Sequence, residues 1–286
     1  MFQYFLYKVA LLIIHVVPRR WAYGVAEFLA DQQFHFSHKD REAVMRNLRQ
    51  ITGRQDVARE DVRRVFLNFG RYLVDFFLMY KMVDASFVRD HVTVNGLEHL
   101  TVAHGQGRGV VILTAHIGNW EMGAAVLRQL GFPVTAIALP HKNPKVNILF
   151  NRQREAHGVT VVPTSVAVRR CLGALRKGGL VALLGDRDFG PFGKPLSFLG
   201  RTTLIPQGAA FFASRTGAPI VPCFLKPDGD GHYTMDICSP ICLSAGDTDK
   251  EAPLIAVMAQ YAALIEDKIR KDPTQWLMFR EFGIEF

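Results

Sequence analysis

The stretch "GVVILTAHIGNWEMGAAVLRQLGFP" (residues 109–133) decides how the rest of the chain is read. Val110 to Leu113 form a short apolar run rich in β-branched residues and entered through Gly109, the pattern of a buried strand. Beyond it Met122, Ala125, Val126 and Leu130 recur at helical spacing, and Gly131 with Pro133 supplies a stop. Asn119 is a natural cap, which predicts a helix from Trp120 to Leu130. His116 then falls on the strand-to-helix turn, and Glu121 in the first helical turn. On one continuous helix, residues five apart lie about 140° apart around the axis and do not face each other. Ahead of the helix, with Gly118 to bend the chain, His116 escapes that restriction. A carboxylate is then able to accept from one ring nitrogen while the other takes a proton, the arrangement of a general base and its orienting acid. Glutamate in a first turn is also favoured by the helix dipole alone, and a strand-end histidine also serves to cap a loop. The rest of the chain has to separate these readings.

At 286 residues the chain is long enough to bury a substantial core. Its 49% hydrophobic content and many phenylalanines exclude disorder. A net charge of +8 points to an anionic partner: nucleic acid, a phospholipid surface or an acidic protein. Nucleic acid is disfavoured, because no aromatic-interleaved RNA motif, zinc finger or basic zipper is present. Cys171, Cys223, Cys238 and Cys242 show no C-x-x-C spacing, and the histidines form no H-E-x-x-H pattern, so free thiols and no bound metal are expected.

The segment "YFLYKVALLIIHVVPRRW" (residues 4–21) carries an apolar run interrupted by Lys8 and His15 and ended by Pro18. The run is shorter than the ~20 residues that span a bilayer, and it lacks the basic start and cleavage site of a signal peptide. It reads as an interfacial or marginal membrane helix with Arg19, Arg20 and Trp21 at headgroup level, the alternative being a core helix.

Residues 1–90 read as helical. "KDREAVMRNLRQITG" and "REDVRRVFLNFGRYLVDFFLMYKM" place apolar residues three to four apart with arginines between them. From residue 91 short strands ("HVTVNG", "PVTAIAL", "VTVVP", "GLVALLGD", "APIVPCFL", "YTMDI") alternate with helical stretches. The chain is therefore read as one α/β domain over residues 1–286, with a mostly parallel sheet flanked by helices after a helical, membrane-associated first part. In such sheets ligands gather beyond the carboxyl ends of strands, where both His116 and "GDRDFG" (residues 185–190) fall. Residues 189–206, "FGPFGKPLSFLGRTTLIP", are unusually apolar for a connection and read as an exposed loop for membrane or ligand contact. No G-x-S-x-G marks a serine hydrolase.

"HIGNWE" after a hydrophobic strand, "VMRNL" (residues 44–48), "NP…NRQR" (143–154), "GDRDFG", "GAPIVPCF" (217–224) and "QWLMF" (275–279) occur in the order found in one family. The chain resembles the lipid A late acyltransferases, the lauroyl and myristoyl transferases. It is similar also to the phosphatidylinositol mannoside acyltransferases, within the lysophospholipid acyltransferase superfamily. The resemblance implies a glycerolipid acyltransferase-like fold and transfer of an acyl chain from acyl-carrier protein or CoA to a hydroxyl of a glycolipid. It further implies action at the cytoplasmic face of the bacterial inner membrane, on or in anionic lipid, with no cofactor because a thioester is already activated. His116 would be the base and Glu121 its orienting acid, with backbone N–H groups at Gly118, Asn119 and Trp120 for the oxyanion. Arg154, with Arg152 as second choice, matches the family's basic position near a headgroup phosphate or the donor. Asp186 matches an acidic position expected to hold Arg154 or an acceptor hydroxyl. Arg187 stands where relatives often carry glutamine, and "QWLMFREF" lacks their aromatic-then-histidine ending. Rival readings are a lipid esterase or thioesterase, and a non-catalytic lipid-binding protein of the same fold.

Overall fold

The computed structural model describes residues 11, 14, 16–187, 193–229, 231–243 and 251–283. Among the described residues the elements ahead of the sheet include α1 (Arg19–Phe36), α2 (His38–Thr52), α3 (Arg59–Met82) and α4 (Ala85–His91). Strands and helices then alternate through β1 (Val92–Asn95), α5 (Leu97–Gly105), β2 (Val110–Thr114), α6 (Trp120–Gln129), β3 (Val134–Ala138), α7 (Pro144–Glu155), β4 (Thr160–Pro163), α8 (Ala167–Arg176) and β5 (Leu180–Leu184). A hairpin of β6 (Lys194–Phe198) and β7 (Arg201–Ile205) follows, then α9 (Gly208–Thr216), β8 (Ile220–Gly229), β9 (His232–Ile237) and α10 (Glu251–Lys271).

Seven strands form one sheet in the order β1-β9-β8-β2-β5-β3-β4. Every pair in it is parallel except β8–β9. The expected α/β architecture holds. β2 shows why its sequence is apolar throughout rather than alternating. Val111 and Leu113 pack on one face with Tyr261 and Ile265 of α10, while Val110 and Ile112 pack on the other with Met122 and Ala125 of α6. A strand covered on both faces has no solvent side to mark.

The apolar connection predicted over residues 189–206 is corrected for its described part. Residues 194–205 form the β6–β7 hairpin, and Phe198, Leu199 and Ile205 are fully buried. Phe198 sits against Trp276 and Phe282, so its apolar character serves the core rather than an outside contact.

α1 is fastened to the body by a buried polar cluster. Asp75 of α3 accepts from Arg19 Nη2 at 2.8 Å, from the Tyr23 hydroxyl at 2.5 Å and from the Tyr233 hydroxyl at 2.7 Å. Arg19 therefore turns inward, against the expectation that it would lie at headgroup level. The expected anchor, residues 4–18, falls largely outside the described residues, and among these no helix is long and apolar enough to cross a membrane.

Replacing Phe198 by Ala is expected to cost about 3–5 kcal/mol in urea unfolding, as for a buried core aromatic. A loss below about 0.5 kcal/mol would return this segment to the periphery.

Candidate active site

β2 and β5 are neighbours in register, with Thr114 opposite Leu184 and the Gly185 N–H donating to the Thr114 carbonyl at 2.8 Å. Two residues beyond each paired end stand His116 and Asp186. The parallel register brings them side by side at the carboxyl edge of the sheet. Asp186 accepts from His116 Nδ1 (3.0 Å to Oδ1, 3.2 Å to Oδ2) and from the His116 backbone N–H (3.0 Å). Trp276 Nε1–H donates to Oδ2 at 2.8 Å. Burial pushes the Asp186 carboxyl upward, but the imidazole and these donors outweigh it and hold the group below the usual carboxylate range. An ionised carboxylate only accepts, so the ring proton resides on Nδ1 and the lone pair on Nε2. The Asp186 side chain is fully enclosed, whereas that of His116 is 16% exposed and reaches the surface of a groove.

In the structure the carboxylate that meets His116 is Asp186, and Glu121 does not face the ring. It faces Arg154 of α7 in a forked ion pair, Nε to Oε2 at 2.8 Å and Nη2 to Oε1 at 2.5 Å, and Asn151 takes a third guanidinium N–H at 3.1 Å. Capping explains the geometry. Asn119 Oδ1 accepts from the Met122 N–H at 3.0 Å, starting α6 at Trp120 as predicted. Glu121 thus lies inside the helix, while His116 belongs to the strand end. Asp186 likewise holds neither Arg154 nor an outward contact, but the imidazole. Arg154 does not line the groove; its basic lining, among the described residues, is Lys39, Arg46, Arg187 and Arg280, with the histidines His38, His116 and His141. Arg152, the second choice, does not line the groove either.

The expected oxyanion donors are also reduced. The Gly118 N–H donates to the Gln275 carbonyl at 3.0 Å and the Asn119 N–H to that of Leu225 at 2.9 Å. Both are committed to holding the turn, which leaves the Trp120 N–H at the first position of α6. Gly118 itself is required, since φ is +60° and a Cβ would lie 2.3 Å from the Leu225 carbonyl oxygen. Trp120 meets the His116 ring edge-on at 4.9 Å and stacks on Tyr72 at 4.4 Å.

The groove has a volume of about 1230 Å³. One stretch of its lining is aromatic and apolar (Phe69, Tyr72, Leu73, Trp120, Phe150), another is charged (Arg46, Arg187, Arg280, Glu281), and His116 is part of the same wall. Burial and then the positive charge of Arg154 hold His141, which also lines it, below its ordinary value. Trp276 escaped the sequence reading as a functional residue, although "QWLMF" was singled out. Its backbone bridges to Ile117, and the Leu277 N–H donates to the His116 carbonyl at 2.8 Å. No local spacing predicts a contact across so long a stretch of chain.

The α/β fold sets a carboxylate-backed histidine on an aromatic-walled groove, and comparison with known proteins defines the class as acyltransferase. The chain belongs to the bacterial lipid A biosynthesis acyltransferase family, whose family model matches residues 1–282. It is 27% identical to a phosphatidylinositol mannoside acyltransferase of Mycolicibacterium smegmatis, over 94% of this chain and 87% of that one. A Lipid A biosynthesis palmitoleoyltransferase of Escherichia coli K12 is 27% identical over 84% and 77% of the two chains. The resemblance drawn from the motifs therefore extends along the whole chain.

Asp186→Asn presents Nδ1 with a neutral amide and is expected to lower kcat for acyl transfer on the order of 10²–10⁴-fold. It should also flatten the acid limb of stability. A depressed folded-state value contributes stability above the unfolded value, about 3.9, and loses it as pH falls through the folded one. Equal acid unfolding curves for the two proteins would contradict the assignment.

Proposed function

We propose that the protein is a membrane-associated O-acyltransferase. It moves a fatty acyl chain from an acyl-carrier protein or CoA thioester to a hydroxyl of a glycolipid such as a lipid A precursor, at the cytoplasmic face of the bacterial inner membrane. The observation that carries this reading is the Nδ1-fixed imidazole of His116 on an aromatic-walled groove. His116 Nε2 takes the proton from the acceptor hydroxyl as its oxygen attacks the thioester carbonyl carbon. The tetrahedral oxyanion is met by the Trp120 N–H and the positive end of α6. Collapse breaks the carbon–sulfur bond, and the proton on Nε2 passes to the departing thiolate. Asp186 stabilises the imidazolium between these steps. Glu121 acts at one remove, holding Arg154 and so fixing α7 against α6 beside the groove.

Membrane association is supported by α1, whose outward face exposes Trp21, Val25, Phe28, Leu29 and Phe36 at helical spacing beside Arg20. α2 begins directly beyond this face, and its His38 and Lys39 line the groove. An apolar stripe laid on lipid thus leads to the groove edge. The net charge of +8 suits both an anionic bilayer and an acidic carrier protein.

Mass spectrometry of a bacterial polar-lipid and lipid A-precursor extract, incubated with protein and separate acyl-carrier protein or CoA donors, tests the proposal. A lipid heavier by one acyl group, absent with His116→Ala, is the expected result. Free fatty acid alone, lost in the same variant, would make the protein a hydrolase.

A further inference from the structure

A second cavity, of about 150 Å³, shares Tyr72 with the groove but not His116. α3 contributes Asn68, Arg71 and Asp75 to its wall, the turn after β2 contributes Asn119, and the C-terminal segment contributes Gln275. None of this chemistry is used by the reaction at His116.

The charges in this wall are paired. Asp75 is taken by Arg19 and by the hydroxyls of Tyr23 and Tyr233, and Arg71 Nε donates to Glu27 at 2.5 Å. What remains is amide chemistry, and its orientation is fixed. The Thr274 carbonyl only accepts, so Asn68 turns Nδ2 to it at 2.9 Å and keeps Oδ1 for another donor. The Met122 N–H only donates, so Asn119 turns Oδ1 to it at 3.0 Å. The Asn119 Nδ2, on a residue only 2% exposed, meets no acceptor among the described residues. A buried donor left without a partner is costly, which calls for an acceptor from outside the chain. Gln275 spends its backbone carbonyl on the Gly118 N–H. Its side-chain amide is uncommitted among the described residues.

We infer that this cavity is a binding site for an uncharged polyol, a sugar ring of the acceptor's headgroup other than the hydroxyl that reacts at His116. The choice of that source rests on the acyl-transfer reading of the groove. A hydroxyl donates and accepts at once, so it serves both Asn68 Oδ1 and Asn119 Nδ2. An ammonium only donates and a phosphodiester only accepts, so each leaves one of the two amides unserved. The volume is several times the ~30 Å³ share of one water and far too small for an acyl chain. Tyr23 and Tyr72 add flat apolar walls to the few polar groups, the usual make-up of a small-molecule site. Because Tyr72 belongs to both walls, a headgroup seated here leads into the groove, and seating it selects which hydroxyl meets Nε2.

Side-chain amide ¹⁵N–¹H signals of the full chain test this during titration with methyl glucoside, methyl mannoside and inositol. Inorganic phosphate and choline are the charged controls. Asn119→Asp keeps the capping oxygen and removes the N–H donor, so it identifies the Asn119 signal. A saturable shift of that signal with at least one polyol, and with neither charged probe, is the expected result. Gln275→Met keeps the length of the side chain and removes its amide. It is expected to weaken the polyol about two- to tenfold, the share of one or two hydrogen bonds. No saturable shift with any polyol would mean a cavity for water alone and would overturn the site. An equal shift with a charged probe, or affinity untouched by Gln275→Met, would overturn it as well. Were Asn119→Asp to unfold, Asn119→Ser, which also retains a capping oxygen, identifies the signal in its place. The two readings fail separately. A protein that acylates a glycolipid while its Asn119 amide ignores every polyol overturns the site and leaves acyl transfer. Polyol binding through these amides by a protein that acylates no lipid does the reverse.

Discussion

The buried carboxylate of Asp186 is where three distant parts of the chain meet. It collects the backbone N–H and Nδ1–H of His116 from the end of β2 and the indole N–H of Trp276 from the C-terminal segment, while itself standing at the end of β5. An isolated carboxylate at this depth would cost several kcal/mol in lost hydration and would take up a proton instead. Enough donors converge on it to keep it charged, and the charge in turn dictates which nitrogen of His116 carries the proton. Tautomer and ring orientation thus descend from one electrostatic requirement.

The same requirement organises the surroundings. Trp276 reaches Asp186 because the chain around it is paired with the 116–118 turn: Ile117 bridges to Trp276, and the Gly118 N–H donates to Gln275. Asn47 then fixes the segment beyond, and the Arg46–Glu281–Arg201 ion pairs tie it to α2 and to the hairpin. The Glu121–Arg154 pair does parallel work in joining α6 to α7. The histidine and the acid of "HIGNWE" therefore serve two separate networks, one that sets the imidazole and one that joins α6 to α7.

Much of the frame was legible in the sequence. The strand-turn-helix over residues 109–130, the Asn119 cap and the placing of His116 on the turn all follow from local rules, and each is found in the structure. The partner of His116 was not. Nearness in sequence suggested Glu121, whereas the answer lies in the adjacency of β2 and β5, strands separated by two further strands in the chain. Parallel pairing is invisible to spacing arguments, yet once Thr114 is opposite Leu184 the meeting of residues 116 and 186 follows. The β6–β7 hairpin was missed for a related reason: its apolar residues mark burial, and burial depends on what packs over them. The oxyanion donors were overcounted because the carbonyls that claim Gly118 and Asn119 come from residues 275 and 225.

The central claim is that Asp186 fixes His116 with its proton on Nδ1 and its basic lone pair on Nε2. Nitrogen NMR of ¹⁵N-histidine-labelled protein, with His116→Gln identifying the signal, reads this directly. Above the imidazole's own titration the account predicts a protonated, hydrogen-bonded Nδ1 and an unprotonated Nε2, a pattern that Asp186→Asn disturbs. A proton on Nε2 in the wild type, or a spectrum indifferent to Asp186, would contradict it.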